Sequence, residues 1–98
     1  MPTAYISHPA CHRHDTGDSH PETARRLSVI EDQFVASRLA DVLRYCEAPE
    51  VTDAQLLRVH SQRHLDDVRV MIPPSGYAHI DPDTVVCPDS LQAARRAA

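Results

Sequence analysis

The sequence has no tryptophan, one phenylalanine and three tyrosines. Its core must therefore be built from Leu, Val, Ile and Ala. That is thin for an independent domain of 98 residues, and the apolar faces are expected to meet more protein than the chain supplies. Lysine is absent too: all 10 basic residues are arginines, and the formal net charge is −4. Binding to nucleic acid needs a basic footprint, so this acidity argues against it. The cysteines, Cys11, Cys46 and Cys87, are odd in number and far apart, with no CxxC. That excludes a disulfide framework or a zinc ribbon and fits a reducing compartment. No apolar run approaches the length of a membrane-spanning helix. The opening MPTAYISHPA has neither a basic nor an apolar leader region, so no signal peptide is expected and the cytoplasm is the expected location.

What is present is a concentration of imidazole. The stretch HPACHRHDTGDSHPETARRL, His8–Leu27, contains His8, His12, His14 and His20, beside Asp15, Asp18 and Glu22. Neutral imidazole titrates near working pH and binds metals, and folding alone does not call for so many in one loop. The bland alternative is a solvated loop with no ligand. The overall composition, 42% hydrophobic and 24% charged, is that of a soluble globular protein.

The elements follow from local signals. Ala4–Ser7 is short and stopped by His8-Pro9, which predicts a buried first strand. A polar loop with Gly17 as its turn residue covers 8–19. Ser19-His20-Pro21-Glu22 has the form of a capping box, with proline tolerated in the first turn. Leu27, Ile30 and Phe34 then form one apolar stripe, so the first helix is expected to run to about Ser37 or Leu39. Asp41–Tyr45 can be a second strand, broken at Glu47-Ala48-Pro49-Glu50. Thr52–Gln55 is another capping box, opening a short helix to about Val59. Ser61 caps a third, with Leu65, Val68 and Ile72 as its buried stripe. Pro73–Gly76 ends that helix and Asp81-Pro82-Asp83-Thr84 is a turn. Val85-Val86 is too short to assign. Pro88 precedes a last helix with Leu91 and Ala94. That helix meets no stop signal before Ala98, so the chain looks cut.

Three segments in order carry a family resemblance: HDTGDSHPETARRL after a strand, LLRVHSQRHLDDV (Leu56–Val68), and IDPDTVVCPDSLQAARRAA (Ile80–Ala98). Together they resemble the N-terminal part of the zinc-dependent histone deacetylase superfamily, nearest its class II-like bacterial members and the acetylpolyamine amidohydrolases. The resemblance covers essentially all of residues 1–98. It implies the N-terminal portion of a three-layer α/β, arginase/deacetylase-like fold with a mainly parallel sheet. It also implies zinc-dependent hydrolysis of acetyl amides on lysine or polyamine-like amines.

The family's catalytic parts lie further on. There are no adjacent histidines here for its acid–base pair. Asp18-Ser19-His20 spells the zinc-binding Asp-x-His, but in the first loop. Gly76-Tyr77 resembles the carbonyl-polarising tyrosine but falls far too early. The catalytic centre and its zinc are therefore expected beyond residue 98, and residues 1–98 alone are expected to be inactive. Two positions carry over. Arg26 matches the arginine lining the cavity associated with acetate. Asp83 matches the rim aspartate that accepts backbone N–H bonds from the substrate. His12–His20 match the first rim loop, where class IIa relatives build an additional zinc site. That makes His12, His14 and His20 candidate ligands of a non-catalytic metal, although the family's cysteines are not retained in place.

Each carried-over residue has a plainer reading: Arg26 as a surface or capping arginine, Asp83 as a turn aspartate bonding its own backbone. His60 and His64 are best read as packing, and Arg95-Arg96 as cations at a helix C-terminus. Two other classes compete for the whole chain. Residues 52–72 can be read as a helix-turn-helix, opposed by the acidity and by Asp66 and Asp67. A small stand-alone metal-binding or partner-binding module is the other.

Overall fold

The computed structural model describes residues 2–98. The chain opens with β1, Thr3–Ser7, followed by a 3-10 turn over Pro9–Arg13. The first long helix, α1, spans Arg25–Ala36 and leads to β2, Leu43–Glu47. β1 and β2 pair in parallel, from Thr3 opposite Leu43 to Ser7 opposite Glu47, so α1 is the crossover of a βαβ unit. Two helices follow, α2 (Asp53–Leu56) and α3 (Gln62–Met71). An antiparallel hairpin of β3 (Ala78–Asp81) and β4 (Thr84–Val86) comes next, and α4 (Ser90–Ala97) closes the chain.

Local chemistry explains most boundaries. Thr52 and Gln55 form the reciprocal capping box, each side chain bonding the other's backbone N–H. The Ser61 hydroxyl accepts the His64 N–H and starts α3. Gly17 takes a φ of +92°, which suits its place in the loop turn. Asp81–Thr84 is the hairpin turn, and Val85-Val86 belongs to β4. The segment after β2 is riveted to the end of α4. Val51 N–H bonds the Arg95 carbonyl at 2.9 Å, and the Arg95 guanidinium answers to the Val51 carbonyl, Glu50 and Asp53.

Four expectations need correction. The Ser19–Glu22 capping box does not form. α1 begins at Arg25, and its N-cap Ala24 makes no side-chain bond. The Thr16 hydroxyl donates to the Glu22 carbonyl and the His20 ring receives the Glu22 N–H, so Glu22 belongs to the loop. The first loop is not wholly irregular: His8 Nδ1 accepts the Ala10 N–H and Pro9 sets φ, giving the 3-10 turn. The second strand starts later than Asp41, because Leu39–Asp41 forms a 3-10 turn closed by the Arg38–Asp41 ion pair. Finally, β1 is buried only at Ser7, and the α1 stripe is at most half-buried, at Leu27 and Phe34. Ile6 is 63% exposed, and no residue of α1 is buried. The described residues offer no third layer to cover them.

Burial is concentrated elsewhere. Ala10, Val85, Val86, Cys87 and Ala93 are buried together with Ser90, where α4 packs on the Pro9–Arg13 turn. In α3, Leu65 is buried and Val68 half-buried, as is Ile72, which caps the helix C-terminus. No helix among the described residues is long and apolar enough to cross a membrane.

Candidate functional site

The histidine loop is tied down ring by ring, and each tie ends on a different element. His8 turns its Nε2 to the Glu47 carboxylate at the end of β2, 3.1 Å away. His12 Nε2 lies 3.4 Å from Glu31 of α1, and the Tyr5 hydroxyl donates to the same Glu31 oxygen at 2.9 Å. Burial, then the Glu31 carboxylate, hold the Tyr5 phenol above its ordinary pKa. His14 reaches α4: its Nδ1 is 2.6 Å from the Ser90 hydroxyl, while its Nε2 faces Glu22 at 3.5 Å. His20 reaches the hairpin, with Nε2 2.8 Å from the Asp83 carbonyl.

A second tie to the hairpin side is anionic. The Tyr77 hydroxyl donates to Asp15 Oδ2 at 2.8 Å, and the Gly17 N–H donates to Asp15 Oδ1 at 2.9 Å. The Gly17 N–H, then Tyr77, hold the Asp15 carboxyl below its ordinary pKa. The same bond to Asp15 pushes the Tyr77 phenol up. The tyrosine that looked misplaced for catalysis is therefore a loop anchor in this structure.

His12, His14 and His20 do not converge. Their partners are Glu31, Ser90 and Asp83, on three different elements. Among the described residues no group of three or more His, Cys, Asp or Glu side chains is placed to hold a metal ion. The described residues therefore do not supply the site of the implied zinc.

Asp83 stands at the turn between β3 and β4, exposed. The aspartate that bonds the turn backbone is its neighbour: Asp81 Oδ1 accepts the Asp83 N–H at 2.9 Å. The Thr84 hydroxyl, then that N–H, hold the Asp81 carboxyl low. Arg26 is exposed in the first turn of α1. It borders a groove of about 220 Å³ shared with Cys11, His14, Glu22 and Leu27. Asp83 and Arg26 thus lie on different elements, both flanking the histidine loop.

Sequence reasoning missed the junction beneath that loop. The Cys87 N–H donates to Ser90 Oγ at 2.8 Å, the Asp15 N–H reaches Cys87 Sγ at 3.3 Å, and the Cys87 thiol points to the Arg13 carbonyl at 3.5 Å. His14 and Ser90 are 76 residues apart, a distance over which no local pattern signals a contact.

Comparison with known proteins gives a consistent result. The profile of the histone deacetylase domain matches residues 20–98. The uncharacterized protein slr0245 of Synechocystis sp. is 35% identical over 88 residues, which are 87% of this chain and 29% of that protein. The crystal structure of the HDA15 HD domain superposes with a TM-score of 0.80 at 22% identity, covering 99% of this chain and 29% of that one. That structural likeness concerns the fold alone. In both cases the chain spans 29% of the relative's length.

Proposed function

Because this chain belongs to the histone deacetylase domain family, we propose that it forms the N-terminal segment of a zinc-dependent deacetylase domain and builds part of the substrate entrance. The fold agrees with that placement: the parallel β1–β2 pair and its helices are a portion of the arginase/deacetylase architecture. The observation that carries the functional reading is the meeting of the histidine loop with the Asp83 turn. Residues 63 apart are joined by the His20–Asp83 bond at the exposed edge of the molecule.

In this reading the chain contributes recognition rather than chemistry. Asp83 presents an exposed carboxylate, an acceptor suited to the backbone N–H groups of an acetyl-lysine peptide or to a polyamine-like amine. Arg26 supplies a permanent positive charge beside the Leu27–Cys11 groove, suited to the acetate released by hydrolysis. The ligands of the zinc and the acid–base pair belong to chain beyond residue 98.

The test uses the polypeptide as its native cell produces it. Its intact mass is measured first, then chelator-sensitive hydrolysis of an acetyl-lysine peptide and an acetylated polyamine. A mass several times that of residues 1–98, with zinc-dependent hydrolysis and a raised KM in Asp83→Ala, is the expected result. Hydrolysis by purified residues 1–98 alone, or an unchanged KM in Asp83→Ala, overturns it.

A further inference from the structure

We propose that His20 is the positioning residue for Asp83, holding the backbone of the rim aspartate so that its carboxylate meets the substrate at a fixed point. The inference rests on the reading of Asp83 as a substrate contact.

Two hydrogen bonds define the state of the ring. His20 Nδ1 accepts the Glu22 N–H at 3.0 Å, so that nitrogen carries no hydrogen. In the neutral ring the hydrogen is then on Nε2, which donates to the Asp83 carbonyl at 2.8 Å. From the other side, Asp81 Oδ1 accepts the Asp83 N–H at 2.9 Å. Both backbone polar groups of Asp83 are thus engaged, one by its own turn and one by the histidine loop. A recognition group is useful only if its supporting shell fixes its geometry.

The same local device occurs a second time. In His8-Pro9-Ala10, Nδ1 accepts the Ala10 N–H at 2.9 Å and Nε2 is directed to Glu47 at 3.1 Å. In both His-Pro-X stretches the proline separates the ring from the N–H that orients it. The ring then spans to a separate segment. His20 differs from His8 in what it reaches: the backbone of Asp83 rather than a side chain.

The chemistry of the amides separates positioning from loop capping. In His20→Gln the amide N–H₂ sits where Nε2 was and still donates to Asp83, while the Glu22 arm is lost. In His20→Asn the carbonyl sits where Nδ1 was and still accepts from Glu22, while the Asp83 arm is lost. The experiment compares these two, His20→Ala, Asp83→Ala and the double alanine variant in the full polypeptide, reading KM and kcat on an acetyl-lysine peptide. His20→Ala and His20→Asn are expected to raise KM about 2- to 10-fold with kcat little changed, the worth of one such bond. His20→Gln restores most of the loss. The double variant is no worse than Asp83→Ala, because the two act as one unit.

Restoration by His20→Asn rather than His20→Gln, or additive losses in the double variant, overturns the positioning role while leaving Asp83 as a contact. An unchanged KM in Asp83→Ala removes the reading of Asp83 itself, and the positioning role with it. A readout independent of turnover is the nitrogen-15 spectrum of the histidine-labelled full polypeptide. A hydrogen on Nε2 and none on Nδ1 is expected. A hydrogen on Nδ1 overturns the proposal in an unmodified protein.

Discussion

Replacing Ser90 by alanine is the sharpest way to ask whether the histidine loop and α4 form one packed unit. Ser90 and Cys87 are each only 5% exposed. The Ser90 oxygen receives the Cys87 N–H at 2.8 Å and meets His14 Nδ1 at 2.6 Å. Alanine leaves the Cys87 N–H buried without a partner, a loss of about 1–3 kcal/mol. The bond to His14 adds about 0.5–1.5 kcal/mol, at the lower end because the half-buried imidazole can turn to water. A total near 2–3 kcal/mol is a large part of the roughly 5–15 kcal/mol that holds a typical domain together. Urea unfolding reads it directly. With a slope of about 1–3 kcal/mol per molar, the midpoint falls by about 1 M and the slope stays constant. A cycle with His14→Phe isolates the side-chain pair, with a coupling of about 0.5–1.5 kcal/mol expected. A midpoint shift under about 0.3 M at constant slope refutes the reasoning, since water would then be reaching the Cys87 N–H.

Two further outcomes follow from the ion pairs and caps. Asp53 is held below its ordinary value of 3.8, first by Arg95 and then by Arg69. A depressed carboxyl contributes stability that is complete above the ordinary value and is lost as pH falls through the lower folded value. Acid unfolding should therefore begin below about pH 4, and Asp53→Asn should flatten that limb without changing stability's pH dependence between about 5 and 8; an unaltered acid limb sinks the assignment. Thr52→Ala removes one half of the α2 capping box and should cost about 1 kcal/mol. Faster amide exchange at Gln55, whose N–H the Thr52 hydroxyl receives, is the local check, and unchanged exchange counts against it.

What could be read from the sequence was what neighbours in the chain decide. Thr52 and Gln55, Ser61, Gly17 and the Asp81–Thr84 turn each act within three residues of themselves, and each appears where its local chemistry places it. Ser19 fails by the same standard. Its capping signal is present, but His20 and Thr16 occupy Glu22 first, and the helix starts at Arg25. Periodicity in Leu27, Ile30 and Phe34 shows which face of α1 is apolar. It does not show whether anything covers that face, and in this structure no α1 residue is buried.

The histidines show the same division at the site. Their number in one loop was visible, and metal binding was the natural chemistry to attach to it. Their destinations were not visible, because each depends on an element folded elsewhere: Glu31 on α1, Ser90 on α4, Asp83 on the hairpin. A ring whose two nitrogens already have an N–H to accept and a carbonyl to reach, as in His20, must give up one of those bonds to take a metal. A histidine can ligate a metal through one nitrogen while the other bonds the protein, so it is the engagement of both nitrogens that counts against a metal at His20. Here the partners are the loop's anchors: of the side chains that suggested a metal centre, His12 ties the loop to α1, His14 to α4 and His20 to the Asp83 turn.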